Sequence, residues 1–388
     1  MSYRDREKLD PPHRLLALDG GGIRGVLTLE VLAKLEATLQ AEEHASESFV
    51  LADWFDYIGG TSTGAIIAAG LARGMKVSEL QELYETLGPK MFQKSFLPRR
   101  FWHKYVASPI ADELKRQFGE ATTFGDDSLR TLLMIVLRNA STDSPWPLSN
   151  ATGAKSNNPA APDSNLRLPL WQLVRASTAA PVYFPAERVH VGDSVFTFQD
   201  GGVTSFNNPA LQLVLMATMK AYGLKWETGE DKLLLVSVGT GYSLKTNANL
   251  RLRGLTVFRN ATSVPSALML AAQVEQDFIC RVLGRCLVGE WIDQEVEDLR
   301  REQGVTRSAL FTYLRYNTAL TRGGLQALGL GSAGIDPDKV AKLDSIDHVD
   351  DLRRIGQAVA QRVEAKHFRP FIRNGTGSRV AKLPHSAG

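Results

Sequence analysis

Three short stretches carry the residue types that acyl or phosphoryl chemistry needs. Gly60-Thr61-Ser62-Thr63-Gly64 matches G-x-S-x-G, a pattern that holds a serine on a strained strand-to-helix turn with its hydroxyl exposed. Gly60 and Gly64 let that turn close without a Cβ clash. Ser62 is therefore the candidate nucleophile, although five letters alone have low specificity and the flanking elements must support them. The second stretch is Asp19-Gly20-Gly21-Gly22-Ile23-Arg24-Gly25. As G-x-G-x-x-G it reads as a dinucleotide loop. That motif wants an acidic residue at the end of the next strand, about 20 residues on, where a helical pattern and the polar run AEEHASES stand instead. As an oxyanion hole, the amides of Gly20, Gly21 and Gly22 would face a developing alkoxide at a helix N-terminus, with Gly25 in the same turn. Arg24 is either a cation for a phosphate group or an exposed first-turn side chain.

A serine hydroxyl needs a base. The seven histidines stand in no turn that suggests a triad partner, and none pairs with another at metal-ligand spacing. The better candidate is Asp200, in Gln199-Asp200-Gly201-Gly202 after the strand-like run Ser194 to Phe198. The carboxyl edge of an α/β sheet is where such folds place active-site groups. An ordinary carboxylate is a weak base for serine, so burial has to strengthen it.

The elements that must position these groups follow from periodicity. Arg14 to Leu18 is a short apolar run of the kind a buried parallel strand makes. A helix of about 14 residues follows the glycine cluster, with Leu27, Val31, Leu32, Leu35 and Leu39 on one face and Lys34 and Glu36 on the other. Trp54 to Ile58 reads as a second strand, GGTSTG as its turn and Ala65 to Arg73 as a helix. Further strands are expected at Thr131 to Leu137 and Lys232 to Val238, the latter ending in Gly239-Thr240-Gly241. Residues 141–165 lack apolar periodicity and read as a long loop or mobile insertion. Helices are expected at Ala267 to Val288, Asp293 to Arg301 and Val349 to Lys366. Apolar runs alternating with helical patterns favour an α/β fold with a mainly parallel sheet covered on both faces.

With 45 basic and 42 acidic side chains among 388 residues, the net charge is +3, which gives no reason to expect a nucleic acid polymer as partner. Hydrophobic residues make up 44%, so wholesale disorder, collagen and coiled coil are excluded. No apolar run approaches the roughly 18 to 20 residues that span a bilayer, and the first residues lack a signal-peptide core, so a cytoplasmic protein is expected. Cys280 and Cys286 read as two buried small hydrophobes, not as a disulfide. No calcium-loop pattern occurs, so neither metal nor cofactor is expected. Phe92, Phe96, Phe101, Trp102 and Tyr105 alternate with lysine and arginine between Pro89 and Tyr105, which suits a membrane interface or an ordinary helix with buried rings. From Gln361 onward six basic residues face one glutamate.

Five blocks in order carry a resemblance: DGGGIRG at Asp19 to Gly25, GTSTG at Gly60 to Gly64, RASTAAPVYFP at Arg175 to Pro185, DGGVTSFNNPAL at Asp200 to Leu211, and SVGTG at Ser237 to Gly241. Each is moderately specific; together they make the sequence resemble the patatin-like phospholipases from about Arg14 to Phe371. The resemblance implies a three-layer α/β/α fold with a mainly parallel central sheet and a helical C-terminal extension. It implies a dyad without histidine, with Ser62 as nucleophile and Asp200 as base, amides around Gly21 and Gly22 as oxyanion hole, and acyl esters of lipids as substrates. Residues 1–12 are then a tail, 13–260 the catalytic domain, 261–373 a helical part packed on it and 374–388 a flexible tail. In the third block the small residues Ala176, Ser177, Ala179 and Ala180 allow close packing under the dyad. Asn207 and Asn208 would fix the Asp200 loop.

Three functional expectations result. The first is a phospholipase A-type hydrolase acting peripherally on membrane phospholipids, Gly60, Gly64, Gly201 and Gly202 supporting the dyad. The second is a nucleotide-binding module on the GGGIRG loop, with a non-phospholipid acyl esterase or transferase as a further alternative. The third refines the first: some bacterial patatin-like enzymes of this size are anti-phage effectors switched on by a cyclic nucleotide. Here Tyr313, Arg315 and Tyr316 could form an activator pocket by stacking and phosphate pairing, or be core and surface of one strand. A homo-oligomer stays open.

Overall fold

A computed structural model describes residues 1–91, 108–181, 183–243, 257–293, 295–300 and 306–373. The first half of the chain runs through α1 (Tyr3–Arg6), β1 (His13–Leu18), α2 (Gly25–Glu42), α3 (Leu51–Trp54), β2 (Tyr57–Thr61), α4 (Thr63–Ala72), α5 (Val77–Met91), α6 (Ser108–Phe118), β3 (Leu132–Asn139), β4 (Ser144–Ser149) and α7 (Leu170–Ser177). The second half adds β5 (Glu187–Val191), β6 (Ser194–Asp200), α8 (Ala210–Thr218), β7 (Leu233–Val238), α9 (Val257–Leu283), β8 (Arg285–Val288), β9 (Thr312–Tyr316), α10 (Arg322–Ala327), α11 (Pro337–Val340) and α12 (Val349–Ala360).

The strands lie in the order β5-β6-β3-β2-β1-β7-β9-β8, with β4 antiparallel along β3. From β3 through β8 every pairing is parallel, whereas β6 and β5 run antiparallel at the other end. Every residue of β1, β2, β7 and β9 is buried, as in a parallel sheet with helices on both faces. The expected α/β class and mainly parallel sheet are thus present, and the parallel strands bring the ends of β1, β2 and β7 to one edge.

Several expected elements differ. Trp54 ends the short helix α3, capped by Asp53, whose carboxylate accepts the Val50 N–H at 3.1 Å. The strand begins at Tyr57 and takes in Gly59 and Gly60, because a Cβ at Gly60 would overlap the Gly64 carbonyl. Residues 141–165 are no structureless insertion: Ser144–Ser149 pairs with β3, and Pro145 and Pro147 are tolerated because the strand has no second neighbour among the described residues. Buried Asn157 donates to Ser149 O and Ala151 O at 2.7 and 2.6 Å, so side-chain amides do there what apolar periodicity does elsewhere.

The helix expected to reach Val288 stops at Leu283. A Cβ at Gly284 would meet the Phe311 ring, and Arg285–Val288 turns into a strand beside β9. Asp293 to Arg301 is not helical where it is described; the Asp293 carboxylate binds the Glu295 and Val296 amides, and Glu297 and Leu299 have positive φ. The last expected helix ends at Ala360, followed by a separate turn, Ala365–His367. The first residues are not a tail, since Tyr3 and Arg6 are buried and Arg6 pairs with Asp56. Nor is the C-terminal part only helical: β8 and β9 extend the same sheet. Cys280 and Cys286 are both buried and free, on α9 and β8.

Candidate active site

Ser62 stands between β2 and α4 with φ 54° and ψ −122°, a conformation that non-glycine residues rarely adopt. Its Oγ donates to Asp200 Oδ2 at 2.6 Å. Its backbone N–H donates to Ser177 Oγ at 2.9 Å, and that hydroxyl donates to Val136 O at 2.7 Å, so α7 and β3 together hold the strained turn. A Cβ at Gly64 would overlap the Leu18 carbonyl, so glycine there lets α4 start directly against the end of β1. Gly25, Gly201 and Gly202 likewise sit where a side chain would press on Tyr84 and Thr63, on the β3 backbone and on Asp200 itself.

Asp200 ends β6 at the edge where β1, β2 and β7 end. Its Oδ1 accepts the Gly202 N–H at 2.7 Å and its own N–H donates to Ala179 O. Burial pushes its carboxyl up to about 6, against the opposing pull of the Ser62 and Gly202 hydrogen bonds and the Arg175 charge. The result is a stronger base than a solvated aspartate, still ionised at neutral pH.

The glycine loop links β1 to α2. A Cβ built on Gly20 would lie 3.3 Å from Ser62 Cβ, so the loop abuts Ser62. The Gly20 N–H is committed to Asn207 O at 3.0 Å, which removes Gly20 from the expected oxyanion donors. The N–H groups of Gly21 and Gly22 make no hydrogen bond to a described residue. Gly22 has φ +60°, and a Cβ on Gly21 would overlap Thr240. Thr240 Oγ1 in turn donates to Gly20 O at 2.9 Å. Arg24 is buried, not exposed: its Nε reaches Gly21 O at 3.3 Å and Nη1 reaches Ala341 O at 3.4 Å. Burial lowers it to about 10, so it stays charged behind the loop.

Beside the loop lies a groove of about 340 Å³ between α2, α5 and the start of α12. Ile23, Val26, Tyr84, Gly88 and Val349 give it an apolar interior. The Tyr84 hydroxyl bonds Thr63, the residue after Ser62. At the mouth, Arg353 pairs with Glu85 at 2.9 Å and Asp350 at 2.8 Å, and Glu30 lies 3.7 Å away.

Residues 16–214 match the family model described as patatin-like phospholipase. The chain belongs to the patatin-like phospholipase family. A cGAMP-activated phospholipase of Pseudomonas aeruginosa is 36% identical over 208 residues, 52% of this chain and 55% of that protein. Another of that description, from Vibrio cholerae, is 33% identical over 215 residues, 53% and 57%. An intracellular phospholipase A2 of Caenorhabditis elegans is 31% identical over 264 residues, 64% of this chain and 22% of that protein. The chain thus spans between about a fifth and three fifths of the length of these relatives.

Within this patatin-like chain the expected activator residues are not a pocket. Tyr313, Arg315 and Tyr316 are buried in β9, and Arg315 is paired with Asp19. Alternation along a strand cannot expose one face when helices cover both. The aromatic and basic stretch from Phe92 to Tyr105 and the basic residues after Asn374 lie outside the described residues. Of the two asparagines expected to hold the Asp200 loop, Asn208 accepts through Oδ1 from the Ala210 amide and from Ser237 Oγ. Asn207 Oδ1 has no hydrogen-bond partner among the described residues, and it is the Asn207 backbone carbonyl that takes the Gly20 N–H. Small-residue packing is not the whole role of Ser177, whose hydroxyl accepts the Ser62 amide. The hydroxyl two residues after Arg175, under a motif serine, was the available signal. For Gln273 and Arg315 on Asp19 no local signal existed.

Proposed function

We propose that this chain is a phospholipase A-type lipid acyl hydrolase that uses Ser62 and Asp200 through an acyl-enzyme, and that a cyclic nucleotide switches it on. The observation that carries the catalytic part is the 2.6 Å hydrogen bond from Ser62 Oγ to a buried Asp200 beside two glycine amides that make no hydrogen bond to a described residue. Ser62 Oγ attacks the ester carbonyl as its proton passes to Asp200 Oδ2. The carbonyl oxygen becomes an oxyanion facing the Gly21 and Gly22 amides. Collapse breaks the ester bond, and Asp200 returns the proton to the leaving alcohol, a lysophospholipid. Water then attacks the acyl-Ser62 ester, Asp200 taking and returning a proton, and a fatty acid leaves.

The groove beside Ile23 and Tyr84 fits the acyl chain. Its interior is apolar, and four carboxylates against one arginine at its rim, Glu30, Glu85, Asp347 and Asp350 with Arg353, disfavour an anionic head group there. Among the described residues no helix is long and apolar enough to cross a membrane, so substrate is met at the bilayer surface in this reading. The regulatory part rests on the relatives described as cGAMP-activated phospholipases. The dinucleotide alternative has less support: only two consecutive amides of the loop, those of Gly21 and Gly22, are without a partner among the described residues, and those of Gly20 and Ile23 on either side are committed to carbonyls.

The test is fatty-acid release from phosphatidylcholine and phosphatidylethanolamine vesicles, with and without cyclic GMP-AMP. Ser62→Ala and Asp200→Asn serve as blanks. Release that needs both residues and rises with the nucleotide is expected. Substantial release by either folded variant overturns the dyad, and equal rates with and without nucleotide remove the activator.

A further inference from the structure

We propose that the C-terminal part, beyond the matched segment 16–214, supplies two positioning residues for the oxyanion loop: Arg315 of β9 and Gln273 of α9, both acting through Asp19. This rests on the hydrolase reading above.

Asp19 directly precedes Gly20, Gly21 and Gly22 and is fully buried. Arg315 grips it with two parallel hydrogen bonds, Nη1 to Oδ1 at 2.9 Å and Nη2 to Oδ2 at 2.6 Å, and Gln273 Nε2 adds a third to Oδ2 at 2.6 Å. The same Nη1 donates to Ser237 Oγ at 2.7 Å, which ties the grip to the end of β7. Burial works against the charge of Arg315, but the Asp19 carboxylate outweighs it and raises the guanidinium above its ordinary value. A buried ion pair of this kind adds little net stability over an apolar replacement, so stability is a weak reason for its presence. Placement is a better one. Three successive glycines have more backbone freedom than any other tripeptide, whereas oxyanion donors must be held to within about 0.5 Å. Locking Asp19 at the head of the loop, with Thr240 on Gly20 O, removes that freedom where the amides have to point.

The helix that carries Gln273 is itself held in register along one face. Gln273, Asp277 and Arg281 are spaced four residues apart. Asp277 accepts from Tyr313 Oη at 3.0 Å and pairs with Arg281 at 2.7 Å, and Arg281 Nη1 donates to Glu290 O at 2.6 Å and Asp298 O at 2.9 Å. A single row of side chains therefore runs from the oxyanion loop to the segment after β8.

The experiment uses the full chain, each measurement made with and without cyclic GMP-AMP, with p-nitrophenyl butyrate, which needs no lipid surface, and a fluorophosphonate that reacts at an active serine. Gln273→Leu, Arg315→Lys and Arg315→Met are compared with the parent. Gln273→Leu is expected to lower kcat about tenfold with KM within about twofold, and to slow fluorophosphonate labelling by the same factor. Arg315→Met loses about a hundredfold or more, and Arg315→Lys recovers part of it. The acid limb of the pH–rate profile stays at the same midpoint in Gln273→Leu, because Asp200 is untouched; a merely destabilised fold would not separate these readouts. Folded Gln273→Leu and Arg315→Lys with parental kcat and labelling rate overturn the proposal, as does a shifted acid limb. A parent that is labelled but hydrolyses no ester removes the hydrolase reading and leaves positioning to be judged on labelling rates. A parent that does neither overturns both.

Discussion

Two buried aspartates sit at opposite edges of the one sheet and are treated in opposite ways. Asp56 lies where β1 and β2 begin, and Asp200 lies at the edge where β1, β2 and β7 end. Burial works to raise Asp56, but the charges and hydrogen bonds of Arg14, Arg373 and Arg6 outweigh it and hold the carboxyl below its ordinary value. Burial raises Asp200 to about 6 because its direct partners are a serine hydroxyl and a glycine amide, with the Arg175 charge a smaller influence. The same residue type is thus a structural anion at one edge and a carboxylate of raised basicity at the other, according to whether guanidinium groups are brought to it. The first arrangement joins α1, the strand starts and residue 373; the second leaves a carboxylate able to take a proton.

The largest effect that separates the edges is on turnover. Ser62→Ala and Asp200→Asn are each expected to cut fatty-acid release by at least about a thousandfold, measured on the purified folded variants. Asp56→Ala is expected to leave turnover per folded molecule unchanged while costing about 3 to 5 kcal/mol of unfolding free energy in urea melts, since three arginines lose their buried counter-charge. Unchanged stability there would end the comparison.

Proton linkage sharpens it further, with opposite signs. The raised Asp200 contributes stability that is present below about pH 4 and lost as pH rises through about 6. Asp200→Asn should therefore melt higher than the parent at pH 7, by up to about 3 kcal/mol, and converge with it at pH 3.5. The lowered Asp56 contributes stability present above about pH 4 and lost as pH falls through its depressed value. With Asp200 as the proposed base, kcat/KM on a soluble ester should rise with pH to a plateau with a midpoint near 6. Ser177→Ala, which strands the Ser62 amide, should lower kcat about tenfold in the same assay. The smallest effect concerns the groove: a Cβ on Gly88 would lie 3.3 Å from Ile23 Cδ1, so Gly88→Leu should reduce palmitoyl over butyryl ester preference several-fold at unchanged butyryl turnover.

Elements with a strong local signature were legible in the sequence. The apolar run at Arg14 to Leu18, the helix over Leu27 to Leu39 and the run ending at Val238 all occur as read. The misread segments share one physical cause: backbone order secured by something other than apolar periodicity. Asn157 and Asn150 organise residues 144–157 through side-chain amides, Asp293 turns its own segment, and Gly284 breaks a helix because Phe311 arrives from elsewhere in the chain.

The candidate site divides along the same line. Glycine spacing and position between strand and helix are local properties, so Ser62, Asp200 and the loop at Gly21 and Gly22 could be named from the sequence. Which amide is already spent, how far Asp200 is lifted and where Arg315 points could not. A buried polar group takes its partner from whatever segment packs against it, and here those partners come from Asn207, Ser177 and a strand 296 residues away. Residue types set which chemistry was available; packing decided which groups were left free to perform it.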